Sequence, residues 1–533
     1  MRLPPYRTRL LATGAVALAG LVLGACTEDL PQVLDDDTIA ASGNESASLT
    51  LEQVEASTGT LDDIVEEVMT ATGVPGVAAA VVYEGEVVYE HGYGVRNTTT
   101  GSRVTPQTVF QIASMSKPIS STIMAGMAGQ GVFDWDDPIA EYAPQFRLSD
   151  SWVSEHVTFA DLFSHRSGIP GGSAGNDLEA VGHDRSTILE RMAMVPLDPF
   201  RITYSYSNYG MTMAGESAAI AAGGTWEQES QDVLFGPAGM TSTSVRHQDF
   251  VDRSNRADLH VRTDDGWSPD FERQPDAQAP AGGVSSNVSD LARWMEIQLS
   301  GGSLDGERII DEDTLDETHT PQILKSPPHP AIGDPAGFYG LGWNIGTDST
   351  GAIRWDHSGA FSTGASTTVK LLPSEGLGIV VLTNGEPIGA PEAITDSYLS
   401  ALQTGDANTA ENIELWTERF GGIYGEPVED WANPPTDAAP ARDDAAYLGT
   451  YTNDYVGAVS IVAGADGLEI LLGPDAEAFA MRHWDGDVFS YIDAPELPDF
   501  AAAIEFTVDD QGVADAVTIS SFDGAGQGTL RRI

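Results

Sequence analysis

Leu61, Ile64, Val65, Val68 and Met69 recur at three- and four-residue intervals, so residues 61–72 predict an amphipathic helix, and the Gly73-Val-Pro-Gly76 punctuation ends it. The pattern then turns to strands. Val77–Tyr83 and Glu86–Tyr93, joined through Glu84-Gly85, predict an antiparallel hairpin. Lys117–Gln130 is apolar and contains small residues, which predicts a buried helix. From about Asp134 to Leu299 the chain reads as helical and loop-rich, whereas Phe338–Ile345, Ala352–His357, Thr363–Leu372 and Gly376–Thr383 read as strands. This order predicts an α/β (α+β) fold: one antiparallel sheet covered by helices from both chain ends, and an all-helical lobe from the middle segment with a cleft between them. At Asn433-Pro-Pro-Thr-Asp-Ala-Ala-Pro-Ala-Arg442 the composition shifts to that of a linker. Beyond it, Ala458–Val462, Gly467–Leu472, Met481–Trp484, Ala503–Val508 and Ala516–Ser520 are short strands between turns, as in a small β-barrel or β-sandwich.

The N-terminus follows a different logic. Arg2, Arg7 and Arg9 precede the apolar stretch Leu10–Leu23, which is short for a membrane span, and Leu23-Gly24-Ala25-Cys26 follows at once. This resembles a bacterial lipoprotein signal, which implies that Cys26 is lipidated and anchors the protein to a membrane. Cys26 is the only cysteine, so no disulfide forms within one chain. By resemblance to sorting rules in double-membraned bacteria, Thr27 after the cysteine implies the outer membrane, facing the periplasm. The acidic, Ser- and Ala-rich residues that follow, including Asp35-Asp36-Asp37, predict a disordered tether. The expected organisation is a signal peptide at 1–25, a tether at 26–54, a catalytic domain at 55–405, a linker at 406–443 and an all-β domain at 444–533.

Charge removes one class of partner. With 80 acidic and 26 basic side chains the formal charge is -54, which repels nucleic acid and self-repels at low ionic strength. Salt screens such repulsion over a Debye length of about 8 Å, so a saline habitat is a reasonable expectation. The chain has three lysines, Lys117, Lys325 and Lys370, which makes the setting of each informative.

Lys117 stands three residues after Ser114 in Ser114-Met-Ser-Lys117. That spacing puts a hydroxyl and an amine one helical turn apart, and a neutral amine there accepts the serine proton and creates a nucleophile. At the N-terminus of the helix, unpaired amides also favour developing negative charge. Tyr206-Ser-Asn208 offers a phenol two residues from a carboxamide. Held near a cationic Lys117, Tyr206 would favour its phenolate and help deprotonate Ser114 and later water, while Asn208 would orient the substrate carbonyl or Lys117. His357-Ser-Gly359 lies on an expected strand, where glycine permits close backbone approach. His165, after the apolar Phe159–Phe163, is expected to close a helix and pack beside the cleft. No His-Glu-x-x-His or closely spaced Cys/His set occurs, which disfavours a zinc hydrolase.

Taken in order, Ser-x-x-Lys at 114, Tyr-x-Asn at 206 and His-x-Gly at 357 resemble the serine β-lactamase and penicillin-binding-protein superfamily, specifically its class C β-lactamase-like branch of esterases, peptidases and β-lactamases. Leu162-Phe-Ser-His-Arg-Ser-Gly-Ile-Pro170 and the Pro280–Trp294 phrase are similar to two further family phrases, the second a glycine turn leading into a helix. The resemblance covers roughly residues 55–405 and implies the β-lactamase-like fold with an appended β-domain. It also implies two-step acyl transfer without a cofactor: Ser114 attacks an ester, amide or lactam carbonyl of a small-molecule or peptide substrate, and Lys117 and Tyr206 handle protons. The implied oxyanion hole is the backbone amides of Ser114 and Ala360, with Asn208, His357 and Gly359 around the substrate. His357 replaces the lysine of the β-lactamase motif, which ranks esters and D-amino acid peptides above efficient β-lactam hydrolysis. The competing reading is a non-catalytic or slowly acylating envelope scaffold or sensor.

Overall fold

The computed structural model describes residues 49–328, 335–348, 350–425, 429–492 and 494–533. Cys26, the leader before it and most of the expected tether lie outside them. The end of that tether is helical: Thr50 and Gln53 form a capping box on α1 (Leu51–Thr58), and α2 (Leu61–Thr72) follows, closed by Gly73 at φ 73°.

Nine strands form the main sheet: β1 (Gly76–Tyr83), β2 (Glu86–Asn97), β3 (Ser102–Arg103), β4 (Ile323–Ser326), β5 (Gly337–Tyr339), β6 (Asn344–Thr347), β7 (Ile353–Phe361), β8 (Ala365–Leu372) and β9 (Leu377–Thr383). They run β4-β5-β6-β7-β8-β9-β1-β2-β3, every neighbour antiparallel. β1, β8 and β9 are buried on both faces, which explains the continuous apolar or small sequences of β1 and β9; in β8 the buried Lys370 pairs with Asp396. Along β1, Val77, Ala79 and Val81 join one core with Leu61, Ile64 and Val68, while Ala78, Ala80 and Val82 join the other.

Four further helices build the two layers and the lobe: α3 (Ser116–Gly129), α4 (Asn208–Ala222), α5 (Val288–Leu299) and α6 (Ala390–Thr404). α2 and α6 share the first core, and α3 and α5 the second. Each aliphatic side chain fully buried there contributes about 1.5–3 kcal/mol. Within the lobe the expectation of helices alone needs one correction, because Val261–Thr263 and Gly266–Ser268 form a short hairpin.

The expected linker also needs correcting, since Thr409–Tyr424 is a helix, α7. Ile413, Trp416 and Phe420 recur at helical spacing, and the Trp416 indole donates to Asp396 on α6 at 2.8 Å. The chain then enters a second nine-stranded antiparallel sheet, a nearly closed barrel: β10 (Gly449–Asn453), β11 (Gly457–Ala463), β12 (Leu468–Leu472), β13 (Glu477–Ala480), β14 (Arg482–Asp485), β15 (Val488–Tyr491), β16 (Ala502–Val508), β17 (Ala514–Ile519) and β18 (Thr529–Arg532). Here burial alternates, as in Leu468, Ile470 and Leu472, because each strand has one inner face. Among the described residues, no helix is long and apolar enough to cross a membrane.

Candidate active site

Ser114 lies in the 3₁₀ turn Ala113–Met115 that runs straight into α3. Ala113 is held at φ 48°, a left-handed conformation that costs an L-residue about 1–2 kcal/mol. The sheet pins this turn: the Thr367 hydroxyl of β8 and the Met115 amide both donate to the Ile112 carbonyl, at 2.8 and 3.1 Å. Gly359 of β7 makes the fit possible. A Cβ there would collide with the Ile112 carbonyl and lie 2.7 Å from the Met115 nitrogen. Glycine is therefore required by close approach, as the sequence suggested.

Lys117 is fully buried on the first turn of α3, and its Nζ lies 3.0 Å from Ser114 Oγ, 2.8 Å from Asn208 Oδ1 and 3.0 Å from the Ala281 carbonyl. Burial pushes its pKa well below that of a free lysine. A neutral amine has two N–H donors and one lone pair. Asn208 Oδ1 and the Ala281 carbonyl can only accept, so they take the two protons, and the lone pair is left for the Ser114 hydroxyl.

The Asn208 amide is itself oriented by a chain of polarity. Asn176 Nδ2 donates to the Gly172 carbonyl, which can only accept. This turns Asn176 Oδ1 towards Asn208 Nδ2, at 3.1 Å, and so directs Asn208 Oδ1 at Lys117.

Tyr206 hydrogen-bonds Ser114, and Lys117 Nζ lies 4.6 Å from its ring centroid. Burial raises the phenol pKa well above its ordinary value, and the Ser114 hydrogen bond offsets this only in part. The expected phenolate is thus overturned. Burial disfavours the lysine cation that would stabilise it, and Tyr206 stands as a protonated phenol able to relay a proton.

His165 sits at φ 59° after the helix Phe159–Phe163, and its Nδ1 accepts from the Ser207 amide at 3.1 Å. Its ring packs against those of Tyr206 and Tyr339, at centroid distances of 4.5 and 4.8 Å. Buried Asp161 ties the same phrase to the Tyr206 loop by accepting from Arg166 at 2.7 Å and Arg201 at 2.8 Å.

His357 lies on β7 beneath Tyr339, whose hydroxyl is 3.0 Å from Nε2, while Nδ1 donates to the Ser358 carbonyl at 2.7 Å. Burial lowers its pKa to about 3. The imidazole is therefore neutral at physiological pH. Ala360 follows on the same strand. Among the described residues β6 pairs only with Ile353–Asp356, so His357–Phe361 are bonded to β8 alone and their other edge is open.

Ser114, Lys117, Tyr206 and Asn208 thus converge around one amine, with Gly359 against the serine turn and His357 alongside. Three participants escaped the sequence reading. Ala281 lies in the Pro280–Trp294 phrase but contributes only a carbonyl, which no side-chain pattern marks, while Asn176 acts from a five-residue helix and Tyr339 from a short strand that carry no motif. Among the described residues, no group of three or more His, Cys, Asp or Glu side chains is arranged to hold a metal ion.

Residues 61–403 match the family model described as Beta-lactamase, and residues 433–529 match that of a domain of unknown function, DUF3471. The chain is 26% identical over 394 residues to penicillin-binding protein 4 of Amycolatopsis lactamdurans, covering 72% of this chain and 94% of that protein. It is 25% identical over 506 residues to the unguisins hydrolase ungD of Aspergillus violaceofuscus, covering 86% and 87%. Among solved structures, the octameric penicillin-binding protein homologue from Pyrococcus abyssi superposes with a TM-score of 0.57 at 20% identity, covering 89% of this chain and 99% of that one.

Proposed function

The chain belongs to the beta-lactamase family, and from this premise we propose that it hydrolyses an ester or amide through an acyl-enzyme on Ser114. The observation that carries the reading is the buried Lys117 amine, whose other partners are both acceptors and whose lone pair faces Ser114 Oγ at 3.0 Å. Lys117 takes the serine proton as Oγ attacks the carbonyl carbon. The backbone amides of Ser114 and Ala360 receive the oxyanion, a contribution of about 3–4 kcal/mol for a well-placed donor. Tyr206 relays the proton to the leaving group. Water then attacks the acyl carbon and gives its proton to the same amine–phenol pair, which passes it to Ser114 Oγ as the acyl–oxygen bond breaks, so the acid leaves and the serine hydroxyl and free amine are restored.

A neutral, buried His357 supplies no fixed positive charge for a substrate carboxylate, which supports esters and D-amino acid amides over β-lactams. The likeness to an unguisins hydrolase supports hydrolytic chemistry. We place the enzyme at a bacterial envelope, anchored through Cys26. Metabolic labelling with radioactive palmitate tests this, since a Cys26→Ala protein should take up no label.

The decisive assay measures hydrolysis of a chromogenic short-chain ester, a D-alanine amide and a chromogenic cephalosporin beside Ser114→Ala. Ser114-dependent turnover, fastest on the first two, is expected. No turnover and no acyl adduct on any of them would instead support the scaffold or sensor reading.

A further inference from the structure

The barrel bears on the catalytic lobe along residues 173–181 with Arg191 beside them, and separately at the end of β7, where the Ser362 hydroxyl donates to Glu496 at 3.1 Å. The Tyr455 hydroxyl, in the turn between β10 and β11, accepts from the Gly175 amide at 3.0 Å and donates to Asp177 Oδ1 at 2.7 Å. Arg191 of the lobe holds the backbone of this turn by donating to the Tyr455 and Val456 carbonyls, at 2.8 and 3.2 Å. On either side, a Cβ at Gly524 would strike the Ser173 hydroxyl, and one at Gly473 the Val181 carbonyl. Asn176 lies between the two residues that Tyr455 grips. Its side chain is the one that sets the polarity of the Asn208 amide and, through it, the direction of the Lys117 lone pair.

We propose that Tyr455 is a positioning residue for the catalytic amine: the barrel fixes the Gly175–Asp177 turn, so that Asn176 holds Asn208 with its oxygen towards Lys117. The role rests on the acyl-transfer reading above, and it gives the appended domain a part in catalysis without any contact with substrate. Tyr455 is buried, and its ring would stay packed in a phenylalanine variant, so the hydroxyl can be removed alone.

The test uses full-length wild type, Tyr455→Phe, Asn176→Ala and the double variant. Ser114 acylation by a chromogenic short-chain ester is followed across pH, and hydrogen exchange is followed in peptides covering residues 172–180 and 204–212. Tyr455→Phe is expected to slow acylation by about 3- to 10-fold, the equivalent of one hydrogen bond, to move the acid limb of the pH profile and to quicken exchange in both peptides. The double variant should be no slower than Asn176→Ala, because both changes cut one path. A Tyr455→Phe protein that melts earlier but keeps the wild-type acylation rate and pH profile would overturn the proposal. So would a double variant whose loss is the product of the two single losses. If wild-type Ser114 does not react, the hydrolase reading fails. Exchange at 204–212 then still decides the coupling, with quickening in Tyr455→Phe supporting it and no change overturning it.

Discussion

Both halves of this protein are nine-stranded antiparallel sheets, yet they dispose of their faces and edges in opposite ways. The catalytic sheet is covered by helices on both faces, its central strands are buried throughout, and the His357–Phe361 stretch of β7 keeps an open edge beside Ser114. The barrel instead curls nearly closed on itself and buries one face. A flat layer held by helices can offer backbone amides to a substrate, whereas a closing barrel spends them on its own ladder. The lesson is that chemistry belongs to the first sheet, and the second can act on it only through contacts such as the Tyr455 turn.

The sharpest way to break the comparison is at the nucleophile. Ser114→Ala should lower kcat by at least ~10⁴-fold with the melting curve unchanged, measured on the best ester substrate. Next comes the contact that joins sheet and serine turn. Gly359→Ala drives a methyl group into Ile112 and Met115, so displacement of Ser114 should cost ~10²-fold in kcat, which steady-state kinetics would detect. The barrel should answer differently: Ile504→Ala, at a fully buried position, should lower stability by about 2–5 kcal/mol in denaturant while the folded protein keeps its pH–rate profile.

A smaller effect separates the two faces of β7. Glu392, buried at the start of α6, has its pKa raised from 4.5 to about 7 by burial, offset in part by a hydrogen bond from Ser358. The folded state therefore keeps a proton that the unfolded chain releases above about pH 4.5. Stability from this group falls as pH rises from there to about 7, by ~3 kcal/mol in all. Urea titrations of Glu392→Gln across that window should show a flatter pH dependence than wild type. His357, with its pKa near 3, should add no limb to the activity profile above about pH 4.

Much of the architecture is legible in local pattern. Leu61–Thr72 forms over the residues that its spacing marks, and β8 and β9 lie within two residues of the expected strands, because β-branched and aliphatic residues dominate both and the Pro373–Gly376 turn separates them. Other elements are not legible. Glu477–Ala480 and Thr529–Arg532 are four-residue strands with little alternation, and they exist because neighbours in the barrel complete their ladders. Thr409–Tyr424 is the reverse case. Its apolar spacing is helical, but it falls within the 406–443 span that the Pro- and Ala-rich stretch Asn433–Arg442 marks as a linker, and tertiary contacts such as the Asp396–Trp416 and Ser397–Asn412 bonds show that it docks.

For the site, the sequence by itself determined which residue types stand near one another along the chain: Ser114 and Lys117 on one turn, Tyr206 beside Asn208, glycine after His357-Ser. Spacing along a helix or strand fixes such local geometry through the backbone period alone. Tertiary structure decided the protonation states, since a neutral Lys117, a protonated Tyr206 and a neutral His357 follow from desolvation by segments as distant in sequence as residues 208, 281 and 339. It also decided the direction of the lysine lone pair, through acceptors at Ala281 and Asn208 and the Gly172–Asn176 polarity behind them. Burial and hydrogen-bond polarity are properties of everything that surrounds a group, and no local stretch of the chain contains them.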